Sequence, residues 1–216
     1  REALNPLASA LLVLLALLAG PAAAAADTEA LNPVTLRPAP KHKPIILVER
    51  GEPRATLCIP GQVDRRAITE LQACIELATG ARLPVANRIP AEGAAIVIGA
   101  CPEAAALGLD PATMPIEGFA IKTAPDRVFI VGHDSATPRS TGTKWGVYEF
   151  AERVVGARWY WPPQSGGRSV PKVESLVVRP LWIEDAPVFR KREIWPTFGG
   201  GGPNGELVTL HHALRM

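Results

Sequence analysis

The sequence predicts an α+β domain built on a mixed β-sheet with two long helices, and three stretches carry that expectation. Residues 55–59, a helix opening at Asp64 or a neighbour, and the wholly apolar residues 95–99 run strand, helix, strand, which calls for a crossover and a parallel strand pair. Residues 117–123 (EGFAIKT) and 128–131 flank the turn Ala124-Pro125-Asp126-Arg127 and read as an antiparallel pair. Residues 144–155 form a second helix that Gly156 stops, and an aromatic strand follows at residues 157–161. Parallel and antiparallel pairs together make the sheet mixed.

At 216 residues the chain is long enough for one domain with a real core, or for one domain plus a fragment. Apolar residues make up 47% and charged residues 20%, a globular rather than a disordered balance. The net charge is only +2 and no basic block is interleaved with aromatics, so nucleic acid is not expected as a partner.

The first 26 residues differ from the rest. Leu11 to Leu18 form an apolar run, Gly20-Pro21 breaks it, and small residues at Ala24 and Ala26 fit a signal-peptidase site. Residues 1–26 are therefore expected to be a secretory signal peptide, with a mature protein beginning near Asp27 and an exported, periplasmic or extracellular destination. Because the chain opens at Arg1 rather than Met, its true start is expected to lie upstream. The uncharged run is short for a spanning helix, and no membrane span is expected after signal removal.

Residues 27–44, rich in proline and basic residues, read as an extended linker. Residues 45–48 are a strand candidate, Gly51-Glu52-Pro53 a turn, and residues 55–59 a returning strand, which together predict a hairpin. In the first helix Ile68, Leu71, Ile75 and Ala78 recur at spacings of three and four and share a face. Arg65, Arg66, Glu70 and Glu76 fall mostly on the other side, and Gly80 stops the helix. Residues 83–85 are extended, and residues 102–109 suit a short helix. Residues 133–143 read as a polar loop. The second helix is expected to bury Val147, Phe150, Ala151 and Val154, and residues 175–178 are expected to form the last edge strand.

Three cysteines, Cys58, Cys74 and Cys101, give an odd count. One disulfide is possible in an exported protein, with the pairing open. The favoured reading is three small buried apolar residues, and without C-x-x-C spacing a zinc site has no support.

Several pieces now stand in order: the helix ending ELQACIELATGARLP, the strand AIVIG, the hairpin EGFAIKTAPDRVFIVGHD, the block GVYEFAERVVGARWYWP, and PVFRKREI. That order resembles the N-terminal domain of secreted bacterial glycoside-hydrolase-like proteins, with domain-of-unknown-function family 4838 the nearest group. More distantly it is similar to the non-catalytic domain preceding the barrel in α-glucuronidases and β-N-acetylhexosaminidases. The likeness covers residues 45–192.

The resemblance implies a two-layer α+β domain, hexosaminidase domain-2-like, with two main helices on one face of a mixed sheet. It implies a catalytic (β/α)8 barrel as intramolecular partner and a carbohydrate as substrate. Residues 45–183 would be the non-catalytic domain and residues 184–216 the start of a truncated barrel, with residues 188–194 its first strand. A whole barrel needs about 250 residues, so the expected function is that of an accessory domain lacking the catalytic acids. The alternative is a stand-alone carbohydrate-binding or surface-interaction module.

Candidate chemistry is sparse. Glycoside cleavage uses two carboxylates across the bond, and Glu193 is a lone acid on the expected barrel strand, so no catalytic residue is assigned. By the resemblance, Arg192 is a candidate sugar contact through its fork of donors, and Trp195 a candidate stacking face. Trp159, Tyr160 and Trp161 are read as core or interface in preference to a sugar platform. The glycine run at residues 199–202 lacks the context of a phosphate cradle, and the adjacent His211 and His212 diverge on either kind of element. No H-E-x-x-H occurs, His133-Asp134 lacks triad partners, and neither metal nor cofactor is expected.

Overall fold

The computed structural model describes residues 31, 33–136, 139–160 and 167–189, with the side chain of Arg139 left aside. The expected signal peptide, Trp161, most of the expected barrel strand, and all of residues 190–216 lie outside the described residues.

The first half of the chain forms β1 (Thr35–Leu36), β2 (Ile45–Glu49), β3 (Glu52–Pro53), β4 (Ala55–Cys58), α1 (Arg65–Thr79), β5 (Val85–Ala86), β6 (Ala94–Ile98) and α2 (Pro102–Ala106). Then come a 3-10 turn at Pro111–Thr113, β7 (Phe119–Ala124), β8 (Arg127–Gly132), β9 (Asp134–Ala136), β10 (Arg139–Thr141) and α3 (Gly142–Phe150). A π-helical turn at Ala151–Val155 continues α3 and precedes β11 (Arg158–Trp159), β12 (Arg168–Ser169), β13 (Leu176–Val178) and β14 (Trp182–Asp185).

Seven strands form the main sheet in the order β1-β14-β7-β8-β6-β4-β5. β5, β4, β6 and β8 are mutually parallel, while β7, β14 and β1 add antiparallel. The sheet is mixed as expected. Side-chain alternation divides its core in two. Leu57, Ile96, Ile98, Ile121, Val128 and Ile130 face the large cluster under α1 and α3. Cys58, Ala95, Val97, Ala120, Phe129 and Val131 face a smaller cluster closed by α2 and by Leu109. The strand at residues 95–99 is wholly apolar because both its faces are covered.

α1 follows its sequence signals. The Asp64 carboxylate caps it by accepting the Arg66 N–H at 2.9 Å, and Gly80 closes it at φ 77°. Ile68, Leu71, Ile75 and Ala78 are all buried.

The expected hairpin of residues 45–48 with 55–59 is not formed. Arg50 and Gly51 take φ of 50° and 78°, the double left-handed geometry of a two-residue hairpin loop, so β2 folds back on β3 instead. β2 also pairs with β13, making a separate three-stranded sheet, and β4 leaves for the main one. Residues 176–178 do form an edge strand, β13, but in the three-stranded sheet, and among the described residues the last strand is β14. It pairs with β7 on one side and β1 on the other. β1 lies inside the stretch read as linker, and His42 there bonds the Thr123 hydroxyl through Nε2 at 2.8 Å. The polar loop after β8 contains the β9-β10 hairpin.

The second long helix departs furthest from expectation. It starts two residues earlier, every residue of α3 is buried, and its last turn is π-helical, with the Gly156 N–H bonded to the Ala151 carbonyl. Gly156 ends it at φ 81°, as expected.

Candidate functional site

In an open sheet, ligand sites gather beyond the carboxyl ends of parallel strands. At that edge the segments after β4 and β8 meet the N-terminal ends of α1 and α3 around a cavity of about 210 Å³. Gln62, Val63, Asp64, Asp134, Thr141 and Lys144 line it, with Ser140. The cavity is below the usual size of a ligand pocket.

A polar knot supports this edge. Glu117, held at φ 63°, accepts the Thr141 N–H through Oε1 at 2.9 Å and the Trp145 indole N–H through Oε2. The Ser140 hydroxyl accepts the Glu117 N–H at 2.8 Å and donates to the His133 carbonyl. The Thr143 N–H donates to Asp134 at 3.1 Å, and the Gly132 N–H donates to the Thr143 hydroxyl at 2.9 Å. Lys144 is 5% exposed, with its ammonium 4.0 Å from the centre of the Trp145 ring. Each of the two carboxylates at the cavity holds a backbone N–H at the start of a helix. The arrangement anchors α3 to the sheet; it does not present an acid and a nucleophile across a bond.

The aromatic flank is organised by Glu70. One of its oxygens accepts the Trp159 indole N–H at 2.9 Å and the Arg168 guanidinium at 2.6 Å. The Trp159 ring is 4% exposed and meets Tyr148 edge-to-face at 5.5 Å between ring centres. Cys74 lies beside the same carboxylate. Burial, then Glu70, pushes its thiol up to about 12. Tyr160, the next residue, is 71% exposed. A wider, open depression of about 580 Å³ lies beside the end of α1, between Arg50, Thr79, Lys172 and Glu174.

The expected sugar contacts Arg192 and Trp195, together with Glu193, His211, His212 and the glycine run, lie outside the described residues. Of the aromatic trio, Trp159 is core and Tyr160 is surface. His133 and Asp134 form no relay, because the Ser140 hydroxyl reaches the His133 carbonyl and not its imidazole. Among the described residues no group of three or more His, Cys, Asp and Glu is placed to hold a metal. No described helix is long and apolar enough to cross a membrane.

Sequence reasoning assigned Glu70 to the polar side of α1 and passed over Glu117, Lys144 and Glu149. Glu149 is 1% exposed and pairs with Arg153 at 2.6 Å. Spacing of four marks that pair in the sequence. No local pattern marks the role of Glu70, whose tryptophan and arginine partners lie 89 and 98 residues away.

No protein-family model matches the chain, and no curated protein sequence matches it. Solved structures do. A GH20 β-N-acetylhexosaminidase from Streptomyces coelicolor A3(2) aligns with 73% of this chain and 26% of its own, at 17% identity and a TM-score of 0.47. A GH115 4-O-methyl-α-glucuronidase with specificity for decorated arabinogalactans aligns with 66% of this chain and 18% of its own, at 16% identity and a TM-score of 0.48. A GH20 exo-β-N-acetylglucosaminidase from Vibrio harveyi, an inactive mutant, aligns with 74% and 19%, at 13% identity and a TM-score of 0.46. The chain spans about a quarter or less of the length of these enzymes.

Proposed function

We propose that this chain is the accessory, non-catalytic domain of an exported glycoside hydrolase acting in the breakdown of polysaccharide or glycan, and that it braces a catalytic barrel encoded by the same gene. The observation that carries the reading is the agreement between the fold that the sequence order implies and the core. The sheet is mixed, and both long helices share the large cluster on one of its faces. In this reading Glu184 and Asp185 still close β14 of the main sheet, the residues after them lead into the barrel, and Arg192 and Trp195 meet the sugar there.

The test is the reading frame. It is expected to run past Met216 into about 250 residues with barrel periodicity. A stop codon directly after Met216 overturns the proposal. The second reading, a stand-alone carbohydrate-binding module, rests on the exposed ring of Tyr160. Saturable glycan binding by the purified chain, lost in Tyr160→Ala, would favour it.

A further inference from the structure

We propose that Cys58 and Cys101 join in an intramolecular disulfide when the protein meets a disulfide oxidant, and that Cys74 stays a thiol. All three are free thiols in this structure, and three cysteines allow three pairings on sequence alone. The main sheet removes two of them. Cys74 lies on α1 in the large cluster, with Leu57, Leu71 and Ile75. Cys58 closes β4 on the other face, in the small cluster with Val97, Ala104 and Phe129, and Cys101 packs on that same cluster. A sulfur on one face reaches the other only through the sheet backbone.

The fold brings the remaining two together. β4 and β6 run parallel with Cys58 opposite Val97, and their extensions stay side by side, so that a Cβ on Gly61 would lie 3.8 Å from the Ala100 carbonyl. Gly99 then turns the chain at φ 100°, and Cys101 caps α2 by accepting the Ala104 N–H on its sulfur at 3.4 Å. The Cys58 thiol is pushed up by burial first and by Cys101 second, in keeping with this nearness. Cys74, pushed up to about 12, is the least ready of the three to ionise.

The chemistry is thiol-disulfide exchange. Half-buried Cys101 meets the oxidant first. Its thiolate attacks one sulfur of a small disulfide, a mixed disulfide forms, and one thiolate leaves. The Cys58 thiolate then attacks the Cys101 sulfur and expels the second thiolate. Two protein thiols are oxidised and one small disulfide is reduced to two thiols. The proposal rests on the sheet alone and is independent of the glycoside-hydrolase reading.

The full chain would be incubated with oxidised glutathione at pH 8.5, quenched with acid, alkylated after unfolding, and mapped by mass spectrometry. A peptide linking Cys58 to Cys101, with Cys74 alkylated, is the expected result. A link through Cys74, a glutathione adduct at Cys101 with Cys58 alkylated, or three alkylated cysteines would each overturn the proposal. A thermal scan gives a second readout. The oxidised chain should melt roughly 5 to 10 °C above the reduced one. Cys101→Ser keeps a capping atom for α2 and should show no such difference; a difference of the same size in that variant would also count against the pairing.

Discussion

Trp159 donates its indole N–H to Glu70 at 2.9 Å, across 89 residues of sequence. This bond turns the aromatic flank inward: the ring that a carbohydrate module would offer to a sugar closes the core over α1. Trp159→Ala should therefore cost about 3–5 kcal/mol in unfolding free energy, measured by urea denaturation. Trp159→Phe keeps much of the packing and should cost about 1.5–3 kcal/mol for the lost bond to a charged acceptor. Tyr160→Ala should stay within about 0.5 kcal/mol. Equal costs at the two positions would show the inward assignment to be mistaken.

Close backbone approach at the start of α3 gives a sharper prediction. A Cβ on Gly142 would lie 2.1 Å from the Gly118 carbonyl oxygen and 2.6 Å from the His133 nitrogen, and no flexible side chain can yield there. Gly142→Ala should cost more than about 4 kcal/mol, enough to remove soluble folded protein. A Cβ on Gly93 meets nothing within 4 Å, and only its φ of 80° resists. Gly93→Ala should cost about 1–2 kcal/mol. Circular dichroism and melting of the two variants separate the cases.

Glu152 sets a pH dependence. Desolvation raises its carboxyl above the ordinary glutamate range, and the attraction of Arg158 and then Arg153 offsets this only in part. The folded state therefore holds this proton more tightly than the unfolded chain does. Its contribution to stability falls as pH rises from about 4 through the raised folded value. Glu152→Gln should accordingly stabilise the protein at pH 7.5 and lose that advantage near pH 4. Urea midpoints at the two pH values check this; an advantage independent of pH would refute it.

Thiol labelling reads the burial of the cysteines directly. With its pKa pushed up to about 12, Cys74 holds about one part in ten thousand of thiolate at pH 8, and its surface is closed. Reduced native protein should take up a maleimide at Cys101 alone, with Cys58 and Cys74 reacting only in denaturant. Labelling of Cys74 in the native state at a rate near that of Cys101 would contradict the packing of α1.

Local signals were enough wherever one element carried its own instructions. Asp64, the Ile68-Leu71-Ile75-Ala78 face and Gly80 determine α1, because cap, periodicity and left-handed stop act within one segment. Alternation about Pro125-Asp126 determines the β7-β8 hairpin. The β2-β4 hairpin failed because two turns competed, and the left-handed pair Arg50-Gly51 closes a shorter loop than residues 51–53 would. β14 was not legible because Trp182–Asp185 becomes a strand only beside the open edge of β7.

The sequence by itself determined the mixed sheet, the two helices and their stops, and the apolar character of the central strands, since these follow from periodicity and backbone preference. Only the tertiary structure decided which face Cys74 occupies, where Glu70 finds its partners, and that α3 is buried on every side. Those depend on which distant segments meet, and a pattern read along one chain carries no information about what lies across the sheet.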